Sequence, residues 1–256
     1  MTALHAIGDT AALSGRMLRH NIRSIDTIMT VLATPVLILL AFVFVIGGAI
    51  DIPGVRYVDY IVPVVVLMCV ASGVSYTAYR INQDVSSGMM TRFLTMPIAR
   101  SAILGGHTLA SVAVNGVSVA LVLLISGLVG YRPRADAAGW GLTIGLLLLV
   151  LIGFTLMGVT FGLAARTVEG ASLFSYLLIG LLFVSSGFAP TDTMPAGLRV
   201  FADHQPLTPI INALREAQLG QATTSMWAAL AWSAGICLVF GVLAQLAARR
   251  STARQR

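Results

Sequence analysis

Residues 140–164 read WGLTIGLLLLVLIGFTLMGVTFGLA, 25 consecutive positions without Asp, Glu, Lys or Arg. As an α-helix rising about 1.5 Å per residue, this run is about 37 Å long, enough to cross the roughly 30 Å hydrocarbon core of a bilayer. Inside lipid an unpaired backbone amide costs several kcal/mol, so a run of this length is solved as a helix.

Five further runs share the pattern: 28–48, 61–79, 108–129, 171–188 and 226–247, again without a formal charge. The expectation is an all-α integral membrane protein with six transmembrane helices. Segment 1–27 precedes them on the cytoplasmic side, 28–247 forms the membrane domain, and 248–256 is a basic tail. The composition agrees: 57% of the 256 residues are hydrophobic and 10% charged, against about 25% charged in soluble domains. The first run begins too late and is too long for a cleavable signal peptide.

All 16 basic residues are Arg, and the net charge is +6. They sit at the ends of the apolar runs, a placement that suits lipid headgroups and topology rather than nucleic acid. Placing both termini inside leaves Arg56, Arg132, Arg134, Arg199 and Arg215 outside and the other 11 of the 16 inside. That bias predicts cytoplasmic termini in a plasma membrane.

Within the first segment, Arg16, Arg19 and Arg23 recur at helical spacing, with Leu18, Ile22, Ile25 and Met29 on the opposite face. This predicts an interfacial amphipathic helix, or equally a juxtamembrane helix that only sets topology. Between the last two runs, 189–225 is too apolar for disorder and too interrupted to span. Pro190, Pro195, Pro206 and Pro209 divide it, and the pairs Leu198/Phe201 and Ile210/Ile211 with Leu214 predict two short outer helices.

Most familiar chemistry is absent. Without Lys there is no GxxxxGK[ST] phosphate loop, and there is no HExxH or GxSxG. His5, His20, His107 and His204 are far apart in sequence. Cys69 and Cys237 read as small buried hydrophobes, not as a disulfide or zinc pair. The sequence therefore predicts no catalytic residue, metal or cofactor of the chain's own. Membrane-embedded acids, the usual mark of ion-coupled carriers, are missing from all six runs. This weighs against a secondary transporter driven by an ion gradient, and nothing marks a membrane enzyme or scaffold. Ser72, Tyr76, Asn115, Ser175 and Tyr176 are candidates for a substrate path, although such residues commonly satisfy helix–helix hydrogen bonds.

The segment 83–106, QDVSSGMMTRFLTMPIARSAILGG, carries a stripe of Met90, Phe93, Leu94 and Pro97 at i, i+3, i+4 and i+7. Ser86 or Ser87 is placed to cap a short helix that Pro97 ends. Two helical turns are unstable alone in water, so the stripe needs the membrane surface, the ends of the spans or a partner to cover it.

Asp84, Gly88 and the following RFLTMPIARSAILGGHTLA resemble the inner-loop motif of ABC-2-type permeases. MPAGLRVFADHQPLTPIINALREAQLG is similar to the outer element of the same family, especially in its daunorubicin-resistance-type drug and lipid exporters. Gln205 stands where the family often has Asn, and Asp84 where Glu is commoner. The resemblance implies two six-span subunits, a homodimer or heterodimer, above two ATPase subunits that hold ATP and Mg. It implies a coupling helix over 87–96 that meets the ATPase through Asp84, Gly88, Met90, Arg92, Phe93, Leu94, Pro97 and Arg100. It also implies an outer re-entrant element that includes Pro195, Phe201, Gln205, Pro206 and Arg215.

Overall fold

The computed structural model describes residues 33–48, 54–89, 100–165 and 167–254, together with Thr10, Ser14, Gly15, Leu18, Met29 and Ile52. Side chains at 100–104, 168, 172 and 249–254 are not among those described. Among the described residues there is no strand. The helices are α1 (Thr34–Ala41, continued by a π-helical turn Phe42–Ile46), α2 (Tyr57–Ser86), α3 (Arg100–Leu128), α4 (Ala137–Ala164), α5 (Val168–Phe183), α6 (Ala196–His204), α7 (Leu207–Leu219) and α8 (Met226–Arg254).

Residue chemistry sets the helix ends. Asp59 lies in the first turn of α2, where a carboxylate favours the helix dipole, and it is held 2.7 Å from Arg56. Asp136 caps α4 by accepting from Gly139 N at 2.7 Å, and Thr167 caps α5 by accepting from Gly170 N at 3.1 Å. Gly88 and Gly220, with φ of 73° and 67°, follow α2 and α7, in the left-handed conformation that ends helices at little steric cost.

α2 is the central post. It packs against α1, α3, α4, α5 and α7, and Ile61, Val62, Val64, Val65, Leu67 and Cys69 have no exposed surface. α4 reaches it closely through a small-residue stripe. A Cβ on Gly158 would stand 2.9 Å from Val74 O, and one on Gly162 2.8 Å from Ala78 O. Hydrophobic burial drives little helix association in lipid, so backbone approach of this kind supplies packing instead. By contrast, Leu238, Val239, Val242, Leu243 and Leu246 of α8 are all exposed.

The helix directions alternate. The start of α2, the 131–136 connection and segment 184–225 meet at one end. There Tyr60 donates to Ser186 O at 2.8 Å, and Arg134 N donates to Gln218 O at 2.8 Å. At the other end Asn82 Nδ2 donates to Gly162 O at 3.1 Å and Ala165 O at 2.8 Å.

Among the described residues, four helices are long and apolar enough to cross a membrane: Tyr57–Ser86, Gly105–Leu128, Ala137–Ala164 and Met226–Ala248. The apolar stretches Thr34–Ile46 and Glu169–Phe183 are shorter, and at about 1.5 Å per residue each falls below the roughly 30 Å core. The run 171–188 is therefore not one helix. After Phe183 the chain turns, Gly187 N bonds Ser185 Oγ at 3.1 Å, and Phe188 stacks back on Phe183 at 4.6 Å. Gly187 permits that return, since a Cβ there would lie 2.5 Å from Val64 Cγ2 of α2. Apolarity set the extent of the run, whereas the turn depends on contact with α2. At 30 residues, α2 also runs well past the expected boundary at 79.

Candidate functional site

At the end away from the 184–225 segment, α2 closes on its own carbonyls. Ser86 Oγ donates to Gln83 O at 3.1 Å and Ser87 Oγ to Asp84 O at 3.4 Å. These hydroxyls therefore finish α2, where the sequence had them starting the next helix. Asp84 turns towards α3, its Oδ2 3.4 Å from His107 Nε2. Gly88, with its positive φ, follows the end of α2. Met90, Arg92, Phe93, Leu94 and Pro97 lie outside the described residues, as does the side chain of Arg100, whose backbone opens α3. Arg16, Arg19 and Arg23 also lie outside them. Their neighbours Ser14 and Leu18 do not: Ser14 Oγ donates to Gly106 O at 3.3 Å, and Leu18 packs on Tyr76 and Val114.

The polar candidates within the helices separate into two groups. Tyr76 and Asn115 line the α2–α3 seam. Asn115 is 3% exposed, and its carboxamide occupies the space beside Gly73. Arg80 sits 5.8 Å from the Tyr76 ring centre. Ser72 bonds back to Met68 O at 2.9 Å within its own helix. On α5, Ser175 is buried, and its hydroxyl has no hydrogen-bond partner among the described residues. Tyr176 is 69% exposed on the outer face of α5, so a substrate would reach it only from outside this bundle. The five residues do not form one cluster.

The best-defined polar centre is at the opposite end. α7 carries Ile210, Ile211 and Leu214 into the core, fully or almost fully buried, and this brings Arg215 against α2. The Arg215 guanidinium lies 3.6 Å from the Tyr60 ring centre. It donates to Tyr60 O at 3.2 Å, Ser186 O at 2.9 Å and Asn212 Oδ1 at 3.1 Å. Ser186 Oγ in turn donates to Asn212 Oδ1 at 2.7 Å. Burial pushes the Arg215 pKa down, and the Tyr60 and Glu216 oxygens oppose it. A guanidinium is not deprotonated in proteins, so the group stays a cation. One cation thus gathers the start of α2, the turn after α5 and α7.

Gln205 supports the same turn, donating through Nε2 to Leu181 O at 2.9 Å and Val184 O at 3.1 Å. Pro206 precedes α7, and Pro195 precedes α6. Phe201 and Leu198 stay exposed on α6, while Arg199 pairs with Asp192 and Asp203. Glu216 caps α8, accepting from Ser225 N at 2.9 Å, Ser225 Oγ at 2.7 Å and Thr224 Oγ1 at 3.0 Å.

Sequence reading did not single out Tyr60, Ser186, Asn212, Glu216 or His107. Asn212 is three residues before Arg215 on one helical face, a visible signal. Ser186 is reached only through the turn after α5. His107 becomes Asp84's neighbour only when α2 and α3 are read as an antiparallel hairpin, which places residues on either side of the connection opposite each other.

Known proteins match the chain over both of these ends. The chain is 29% identical over 222 residues to the daunorubicin resistance ABC transporter permease protein DrrB1 of Streptomyces coeruleorubidus, covering 84% of this chain and 77% of that one. It is 28% identical over 252 residues to the probable doxorubicin resistance ABC transporter permease protein DrrC of Mycobacterium tuberculosis (strain CDC 1551 / Oshkosh), covering 96% and 90%. The profile of the ABC-2 type transporter family matches residues 9–219, a stretch that takes in both the Asp84 end and Arg215. The chain belongs to the ABC-2 type transporter family, as a multi-pass membrane transport subunit in a family where ATP hydrolysis belongs to a separate subunit.

Proposed function

We propose that this chain is the permease of an ATP-driven exporter that moves a hydrophobic or amphiphilic compound, such as a drug, antibiotic, lipid or glycolipid, out of the cytoplasm or inner leaflet. Two permease subunits, identical or different, pair in a bacterial plasma membrane with both termini cytoplasmic, and two ATPase subunits holding ATP and Mg dock below them. The observation that carries this reading is the family match over 9–219 together with the drug-resistance permeases among the relatives. The absence of any Lys-based phosphate loop in these 256 residues supports a separate motor. The apolar interiors of the helices support an apolar cargo.

In this reading all six apolar runs cross the membrane, α5 doing so together with the turn 184–188 that follows it. Segment 87–96 is the coupling helix, its Met90, Phe93, Leu94 and Pro97 stripe covered by the ATPase. The N-terminal amphipathic segment lies beside it, and 189–225 is the outer re-entrant element.

The test is purification of the chain with a phosphate-loop ATPase, followed by doxorubicin uptake into inside-out vesicles with and without ATP. Uptake that needs both ATP and the ATPase supports the proposal. Uptake by the isolated chain, driven by an ion gradient, would favour the secondary-transporter reading. Charge reversal at Arg92 together with Phe93→Asp is expected to abolish ATPase retention. Unchanged assembly, hydrolysis and export would remove the coupling role.

A further inference from the structure

Asn82 of α2 reaches across to the end of α4. Its Nδ2 donates to Gly162 O at 3.1 Å and to Ala165 O at 2.8 Å, and the residue is 3% exposed. The last carbonyls of an α-helix have no donor within the helix. Ala165 N takes Phe161 O at 2.9 Å, and the backbone of Ala165 itself is extended. The Asn82 carboxamide therefore closes α4 from a neighbouring helix.

The same stretch is where the two backbones come nearest. α2 and α4 run in the same direction, both starting at the end that holds segment 184–225. Gly158 and Gly162 leave no room for a side chain beneath Val74 O and Ala78 O. Ile81, one residue before Asn82, has no exposed surface and shares a buried cluster with Val159 of α4 and Ala244 of α8. Thr160 Oγ1 reaches Phe240 O of α8 at 3.3 Å. Thr167, which caps α5, follows Ala165 by two positions, so the bond to Ala165 O also bears on where α5 starts. Parting this seam would strand the buried Gly162 O without a donor, at the cost of an unpaired polar group.

We propose that Asn82 is a positioning residue for transport: it keeps the inner ends of α2 and α4 together through the whole ATP-driven cycle, so that the two helices travel as one body. The cargo path then opens along other seams. Closely packed helices change place as units, because packed interfaces are bistable rather than continuously deformable. This inference rests on the ATP-driven permease reading above.

The test uses the full chain copurified with its ATPase, with Cys69→Ala and Cys237→Ala. Tyr79→Cys and Ala164→Cys place thiols at exposed positions near the inner ends of α2 and α4. Nitroxides on these thiols report the α2–α4 distance by dipolar broadening in lipid nanodiscs. A short bis-thiosulfonate reagent joins the same thiols for ATP-dependent doxorubicin uptake into inside-out vesicles. With Asn82 present, the distance is expected to agree within about 2 Å between the nucleotide-free and the ADP–vanadate-trapped complex. The cross-link should leave at least half of the uptake. Asn82→Ala is expected to retain the ATPase, to shift the distance beyond about 2 Å on trapping and to lower uptake at least about fivefold. Cross-linking that variant should restore at least half of the uptake, and reduction should remove it again. A distance that changes on trapping with Asn82 present, a cross-link that stops uptake there, an Asn82→Ala variant with unaltered distance and uptake, or a cross-link that restores nothing would each overturn the role of Asn82. If Asn82→Ala does not assemble, the first two outcomes still decide. Loss of ATPase retention or of ATP-dependent uptake in the chain that keeps Asn82 and carries no cross-link would instead overturn the function proposed above. The nucleotide-free distances with and without Asn82 would then still judge the clamp, equal values counting against it.

Discussion

The central carbon of the Arg215 guanidinium lies over the Tyr60 ring, 3.6 Å from its centre, and the same cation bonds the Tyr60 carbonyl. No carboxylate takes part in these bonds. The cation is held by carbonyl and amide oxygens from three separate pieces of chain, which a planar fork of donors can reach together.

Arg215→Ala would strip partners from Tyr60 O, Ser186 O and Asn212 Oδ1 at once. The expected loss is about 2–4 kcal/mol, in the range for breaking buried hydrogen bonds to a charged group. Arg215→Lys should recover less than half, because an ammonium cannot stack and fork simultaneously. Thermal unfolding in detergent, followed by size-exclusion chromatography, measures both. A Lys variant as stable as the original would rule out the planar stacking argument.

Gly162 and Gly141 offer a matched contrast on α4. A Cβ at 162 would meet Ile81 Cβ at 2.9 Å as well as Ala78 O, whereas at 141 nothing lies within 4 Å. Gly162→Leu should therefore destabilise by about 1–3 kcal/mol through overpacking. Gly141→Ala should be neutral or stabilising by up to about 1 kcal/mol, from helix propensity. Equal effects at the two positions would contradict the close α2–α4 approach.

Gly73 and Asn115 are predicted to be coupled. A Cβ on Gly73 would fall 2.0 Å from Asn115 Oδ1, so Gly73→Ala alone should lower the melting temperature. Asn115→Ala removes the obstructing carboxamide, and the double variant should be more stable than Gly73→Ala by itself. Simple addition of the two losses in a double-mutant cycle would show that the residues do not touch.

Tyr131 gives a pH dependence. Its hydroxyl donates to Gln218 Oε1, and burial first, then the Asp59 charge, raise its pKa above the ordinary value. The unfolded chain releases this proton near pH 10 and the folded chain only above it. The stabilisation is therefore complete below about pH 10 and is lost as pH rises further. Between pH 9 and 11 the melting temperature of the unaltered protein should fall more steeply than that of Tyr131→Phe. Parallel curves would show that Tyr131 ionises freely.

The membrane class and the positions of the helices were readable because charge is excluded from long stretches, a property of the residues themselves. Arg215, Gln205 and Pro206 could be named because the stretch that holds them resembles the outer element of ABC-2-type permeases. Ser186 could not, since it reaches Arg215 only after the run 171–188 breaks at Phe183. That break comes from Gly187 packing on Val64, a contact 123 positions away in sequence. His107 was set aside as an isolated histidine for the same kind of reason.

By itself the sequence determined the solvent this chain folds in, its all-helical character and the order of its apolar runs, because hydrophobicity and the need to pair backbone amides act locally. It also carried the motifs that mark the family. The tertiary structure alone decided that 61–79 belongs to the central post while 226–247 faces outward, although the two runs look alike. Both are apolar enough for lipid. Which one is enclosed depends on where glycines such as Gly158 and Gly162 let a neighbour approach, a relation between helices that no single stretch contains.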